Sequence, residues 1–125
     1  MNNVAYFEIQ ANDPEKVLAF YETLFGWTFT RQESTPVPYW QIKTEGINGG
    51  LLQRPAPVPG ANLGTNAFTC SMQVESFDQT AEQILALGGS VALPKFAIPG
   101  RCWQGYFIDI DGNIFGLFQV EETAA

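Results

Sequence analysis

Between Val4 and Gln10 apolar and polar side chains alternate closely enough to predict a strand, with Phe7 and Ile9 on one face and Tyr6, Glu8 and Gln10 on the other. Asn12-Asp13-Pro14-Glu15 follows, offering a capping carboxylate and a proline suited to a first helical turn. The spacing then changes. Val17, Phe20, Tyr21, Leu24 and Phe25 recur at helical intervals and predict one apolar stripe that ends at Gly26, where a left-handed residue is wanted. β-rich runs at Trp27 to Arg31, Tyr39 to Thr44 and Gly50 to Gln53, separated by polar or glycine-containing breaks, complete the order strand, helix, strand, strand, strand.

Arg54-Pro55-Ala56-Pro57-Val58-Pro59-Gly60 cannot pair inside a sheet, because every second residue lacks an N–H, and it opens a proline-rich linker over 55–65. The pattern then restarts. Ala67 to Val74 reads as a strand with Phe68, Cys70, Met72 and Val74 on its apolar face and Thr69, Ser71 and Gln73 on its polar one. Ser76-Phe77-Asp78-Gln79 forms a capping box, and Phe77, Ala81, Ile84, Leu85 and Leu87 give a second stripe closed by Gly88-Gly89. Three strands fit the remainder: Ser90 to Leu93, Trp103 to Asp109, and Ile114 to Val120, the last two joined through the tight turn Asp111-Gly112-Asn113. Asp13 to Ser76 and Gly26 to Gly89 are both separated by 63 residues, and Gly50-Leu51-Leu52-Gln53 is echoed 66 residues later by Gly116-Leu117-Phe118-Gln119. Duplication of one module explains these offsets. The expectation is a single α+β domain over 1–125, built from two βαβββ modules at about 1–54 and 66–120.

A net charge of −7 opposes binding to nucleic acid and to anionic lipid. No apolar run approaches the length of a membrane span, and the start of the chain does not resemble a signal peptide. Two cysteines, Cys70 and Cys102, are too few for a disulfide framework and read as buried structural thiols. Together these features predict a soluble, cytoplasmic protein whose partner is a small organic molecule.

The polar faces of the two leading strands suggest a lined cleft rather than two solvated surfaces, because aromatic residues are plentiful. Trp40, Trp103, Tyr106 and Phe118 are its candidate walls; Tyr6, Glu8, Gln10, Thr69 and Gln73 are its candidate polar groups.

Several stretches resemble the vicinal oxygen chelate superfamily, the glyoxalase, bleomycin-resistance and extradiol dioxygenase type of domain. They are Phe7-Glu8-Ile9 leading into Asp13-Pro14-Glu15 and Phe20-Tyr21 before Phe25-Gly26-Trp27, then Gly49-Gly50-Leu51, then Ala86-Leu87-Gly88-Gly89, and finally Asp109-Ile110-Asp111-Gly112-Asn113 before Gly116-Leu117. The resemblance implies paired modules forming a cup-shaped, incomplete eight-stranded sheet, often completed in a homodimer. In metal-using members the ligands occupy positions that fall here on Tyr6, Gly50, Thr69 and Gly116, and the chain has no histidine at all. The expectation is therefore a binding protein without metal or other cofactor, its ligand held in the aromatic-lined cleft. The alternative is a metal-independent enzyme, a lyase or isomerase, in which Glu8 is the catalytic general acid or base and Tyr6 or Tyr106 its electrophilic partner. A metal-dependent lyase or dioxygenase is disfavoured. A third reading makes Tyr39, Trp40 and Trp103 a protein interface.

Overall fold

A computed structural model of the chain describes residues 2–58, 60 and 67–125; part of the expected linker lies outside these residues. Two compact units, Met1–Pro59 and Gly60–Ala125, each carry one helix and one four-stranded sheet.

The first unit runs β1 (Phe7–Ala11), α1 (Pro14–Phe25), β2 (Thr28–Gln32), β3 (Tyr39–Lys43) and β4 (Gly49–Gln53). Its strands lie in the order β1-β4-β3-β2, with β1 parallel to β4 and the other neighbours antiparallel. The ladder of β1 opens where Phe7 meets Gly49, the first residue of β4, so Val4, Ala5 and Tyr6 precede the strand rather than beginning it. At the start of α1 the Asp13 side chain accepts from Lys16 N, and at its end Gly26, at φ 70°, donates to Glu22 O. Val17, Phe20, Tyr21 and Leu24 are buried on the helix side of the sheet, as are Ile42 and Leu51. Trp27 stacks on Tyr21 with ring centroids 5.5 Å apart. Burying each such side chain contributes roughly 1.5–3 kcal/mol, which makes this cluster the main support of the unit.

The second unit runs β5 (Ser71–Gln73), α2 (Phe77–Ala86), β6 (Ser90–Ile98), β7 (Cys102–Ile108) and β8 (Ile114–Val120). Its strand order, β5-β8-β7-β6, repeats that of the first unit, and β5 is again parallel to the last strand. Both units are therefore βαβββ modules of one plan, in an α+β fold.

Four sequence expectations need correction here. The leading strand of this unit is shorter than Ala67 to Val74: its pairing ends where Cys70 O accepts from Gly116 N, and Phe68 and Cys70 are exposed rather than part of an apolar face. Of the two thiols only Cys102 is buried. The buried stripe of α2 is Phe77, Thr80 and Ile84, with Leu85 half exposed, because Leu85 stands a full 100° around the helix from Ile84. Finally, β6 does not stop at Leu93. It continues through Pro94 to Ile98, absorbing the proline in two register shifts at the open edge of the sheet, where a missing N–H breaks no ladder.

Ser76 Oγ accepts from Gln79 N as the capping box requires, and a second orphan donor, Phe77 N–H, is met by Gln119 Oε1 from β8. The turn before β8 is built on Asp109, whose Oδ1 accepts from Asp111 N and Asn113 N while Oδ2 accepts from Asn113 Nδ2. Among the described residues no helix is long and apolar enough to cross a membrane.

Candidate functional site

Strand alternation divides the first sheet cleanly. Phe7, Ile9, Trp40, Ile42 and Leu51 share the face toward α1, and Glu8, Gln10, Tyr39 and Gln41 share the other. On that outer face Glu8 pairs with Gly50, and Gly50 in turn with Gln41. Tyr39 leans from β3 across Gly50, so that a Cβ at position 50 would collide with its ring and hydroxyl. Only glycine leaves room for the tyrosine.

The Tyr39 hydroxyl donates to Glu8 Oε2 at 2.8 Å, and the Tyr6 and Tyr39 hydroxyl oxygens are 2.7 Å apart. Burial pushes the Tyr39 phenol far above the ordinary tyrosine range, and the hydrogen-bond contact with Tyr6, then the hydrogen bond and negative charge of Glu8, act in the same direction, since ionisation would set a phenolate against a carboxylate. Beside Tyr6 the same face sinks into an open depression of about 190 Å³, lined among others by Thr28, Thr30, Gln41, Lys43 and Asn48. At the far end of β1 the Arg54 guanidinium donates to Gln10 O, which fixes the exit of the strand.

The second sheet repeats the construction with different chemistry. Ser71 pairs with Gly116, and Gln104, from the middle strand, donates through Nε2 to Ser71 Oγ at 3.3 Å. A Cβ on Gly116 would meet both side chains. Gln73, Tyr106 and Phe118 lie on this same face.

Not every sequence candidate joins these corners. Trp40 is buried on the α1 side under the Arg31 guanidinium, which sits 4.7 Å from the ring centroid. Trp103 lies on the α2 side of its sheet, with Lys95 Nζ 4.5 Å from its ring centroid. Neither indole faces the corner of its own sheet, because each occupies the opposite parity along its strand from the polar residues. Thr69 precedes β5 and is exposed. Ser71 and Gln104, by contrast, are not among the sequence candidates, and Tyr39 is one only for a protein interface, not for the cleft. The alternation of Tyr39-Trp40-Gln41-Ile42-Lys43 already separates Tyr39 from the apolar set, and this was the available signal.

The resemblance places metal ligands at Tyr6, Gly50, Thr69 and Gly116, but the register brings Glu8 and Ser71 beside the two glycines. These corners offer one carboxylate, two phenols, a serine hydroxyl and an amide. Among the described residues no three or more His, Cys, Asp or Glu side chains converge. Neither corner's donors fit the metal ion implied by the resemblance.

Comparison with known proteins supplies the family. The model of the Glyoxalase/Bleomycin resistance protein/Dioxygenase superfamily matches residues 3–117. No curated protein matches the chain significantly. Among solved structures, a glyoxalase/bleomycin resistance protein/dioxygenase family enzyme from Burkholderia phytofirmans is 19% identical with a TM-score of 0.73, over 95% of this chain and 99% of that one. TioX from Micromonospora is 16% identical with a TM-score of 0.69, over 96% and 100%. A mutant of the fosfomycin resistance protein FosX from Listeria monocytogenes, complexed with Mn(II) and 1S,2S-dihydroxypropylphosphonic acid, is 19% identical with a TM-score of 0.69, over 94% and 89%. At these identities the structures share the fold. With the family model covering nearly the whole sequence, this chain belongs to the glyoxalase/bleomycin resistance protein/dioxygenase superfamily.

Proposed function

We propose that this protein binds a small organic molecule directly, without a metal ion, at the corner formed by Glu8, Tyr39 and Tyr6. The observation that carries this reading is the Tyr39 side chain lying over Gly50. Position 50 is where metal-using relatives would place a ligand, and here the space above it is filled by a phenol bonded to the neighbouring carboxylate. A longer liganding side chain at 50 is incompatible with this arrangement. The FosX mutant structure holds Mn(II); among the described residues here no three His, Cys, Asp or Glu side chains gather to hold an ion. The depression beside Tyr6 gives the ligand a place to lie.

Metal analysis of the purified chain, together with a thermal-shift screen in the presence of chelator, tests the proposal. Divalent metal is expected well below stoichiometric, and an organic ligand at about a hundred times its Kd stabilises the native state by about 2.7 kcal/mol. A stoichiometric divalent ion whose removal lowers the melting temperature overturns the proposal. The homodimer implied by the family resemblance belongs to the same reading, and light scattering checks it.

The contact between Glu8 and Tyr39 also favours a second reading, in which the carboxylate moves a proton on a bound substrate with Tyr6 beside it. Turnover that survives chelator and disappears in Glu8→Gln is its signature.

A further inference from the structure

The hydrogen-bond directions at this corner restrict its ligand more than its shape does. Tyr39 has one hydroxyl proton, and it points to Glu8 Oε2. The contact between the two phenol oxygens at 2.7 Å must therefore use the proton of Tyr6, since the proton of Tyr39 is already committed. The carboxylate has none to give. Both protons of the group thus run inward along Tyr6, Tyr39 and Glu8, and what remains for a ligand is Glu8 Oε1 and the lone pairs of Tyr6.

Resting on the binding site proposed above, we infer that the Tyr6–Tyr39–Glu8 chain at this corner accepts hydrogen bonds and donates none, so that it takes the ammonium, amidinium or other N–H group of an organic cation and turns away phosphonate, phosphate and carboxylate groups. Tyr39 does not change this by ionising, because its burial keeps the phenol protonated. Rotating hydroxyls ordinarily adapt to donor or acceptor alike; here the chain ends on a charge and the direction is fixed. The surroundings complete the pattern. Asn48 Oδ1 already accepts from Thr44 N, which leaves the amide NH2 of Asn48, together with the Lys43 ammonium, to serve acceptor atoms further along the ligand. The ligand is accordingly a cation at one end, with carbonyl or hydroxyl oxygens toward the other.

Three fragments of similar size separate the possibilities at neutral pH, read by amide chemical shifts in the full chain: benzamidine, benzylphosphonate and N,N-dimethylbenzamide. Benzamidine is expected to shift the Glu8 and Gly50 amides saturably, and Glu8→Gln to weaken it by about tenfold. Benzylphosphonate is expected to leave those amides unmoved. Tyr39→Phe keeps the ring over Gly50 and the charge on Glu8 but frees the Tyr6 proton. In that variant the acceptor-only probe N,N-dimethylbenzamide gains affinity, which overall negative charge alone does not explain. Benzylphosphonate binding at Gly50 as tightly as benzamidine overturns the polarity while leaving the binding site in place. No saturable shift at Glu8 or Gly50 from any probe overturns the polarity and the binding site together.

Discussion

Gly50 carries no functional group, yet the corner depends on it. In Gly50→Ala the added methyl has to displace Tyr39, and forcing such a shift typically costs about 1–3 kcal/mol. Urea denaturation should show this loss, and it should shrink markedly in a Tyr39→Ala background, where the obstruction is gone. Tyr39 makes a second measurable contribution through its proton. Its folded-state affinity for that proton is raised, so the native chain keeps it at a pH where the unfolded chain, near the ordinary tyrosine value of about 10, has lost it. The stability associated with Tyr39 is therefore fully present below about pH 10 and falls as pH rises above it. Comparing the alkaline stability profile with that of Tyr39→Phe isolates the effect: the variant should lose less stability over the same interval.

Elements were legible where the relevant physics is local. The capping residue and closing glycine of α1, and the span of β8 after its turn, follow from short-range geometry and agree with the structure. α2 shows the limit. Five apolar positions marked its stripe, but only those aimed at the sheet are buried, and Thr80 displaces Leu85 from the set. Ile84→Ala is expected to cost about 2–5 kcal/mol and Leu85→Ala less than about 0.5 kcal/mol, measured by thermal or chemical unfolding. β5 shows another limit: alternation predicts which way side chains point in a strand, not how far its pairing extends. The candidate site divides in the same way. Glu8 could be placed from β1 alone, whereas the reach of Tyr39 over Gly50 depends on the register between β3 and β4, which no single strand encodes.

At the scale of the molecule, two units share one connectivity while their corners have diverged. One carries a charge and two phenols, the other a serine and an amide, although each is built over a glycine of the last strand. The repeated module is thus a frame whose chemistry is set by the few side chains crossing that glycine. The same frame leaves β6 at an open edge, nine residues long, with Val91, Leu93, Phe96 and Ile98 exposed. A regular edge of that composition is a template on which another chain can add its own backbone. Pro94 lacks an N–H, and the register shifts on either side of Leu93 interrupt the repeat that lateral growth needs. Pro94→Val should return an N–H donor to the edge and raise the rate of thioflavin-positive fibre formation in concentrated protein; an unchanged rate would show that the edge is protected by something else. On that expectation, the identity of one edge residue sets how readily copies of this chain add to one another side by side.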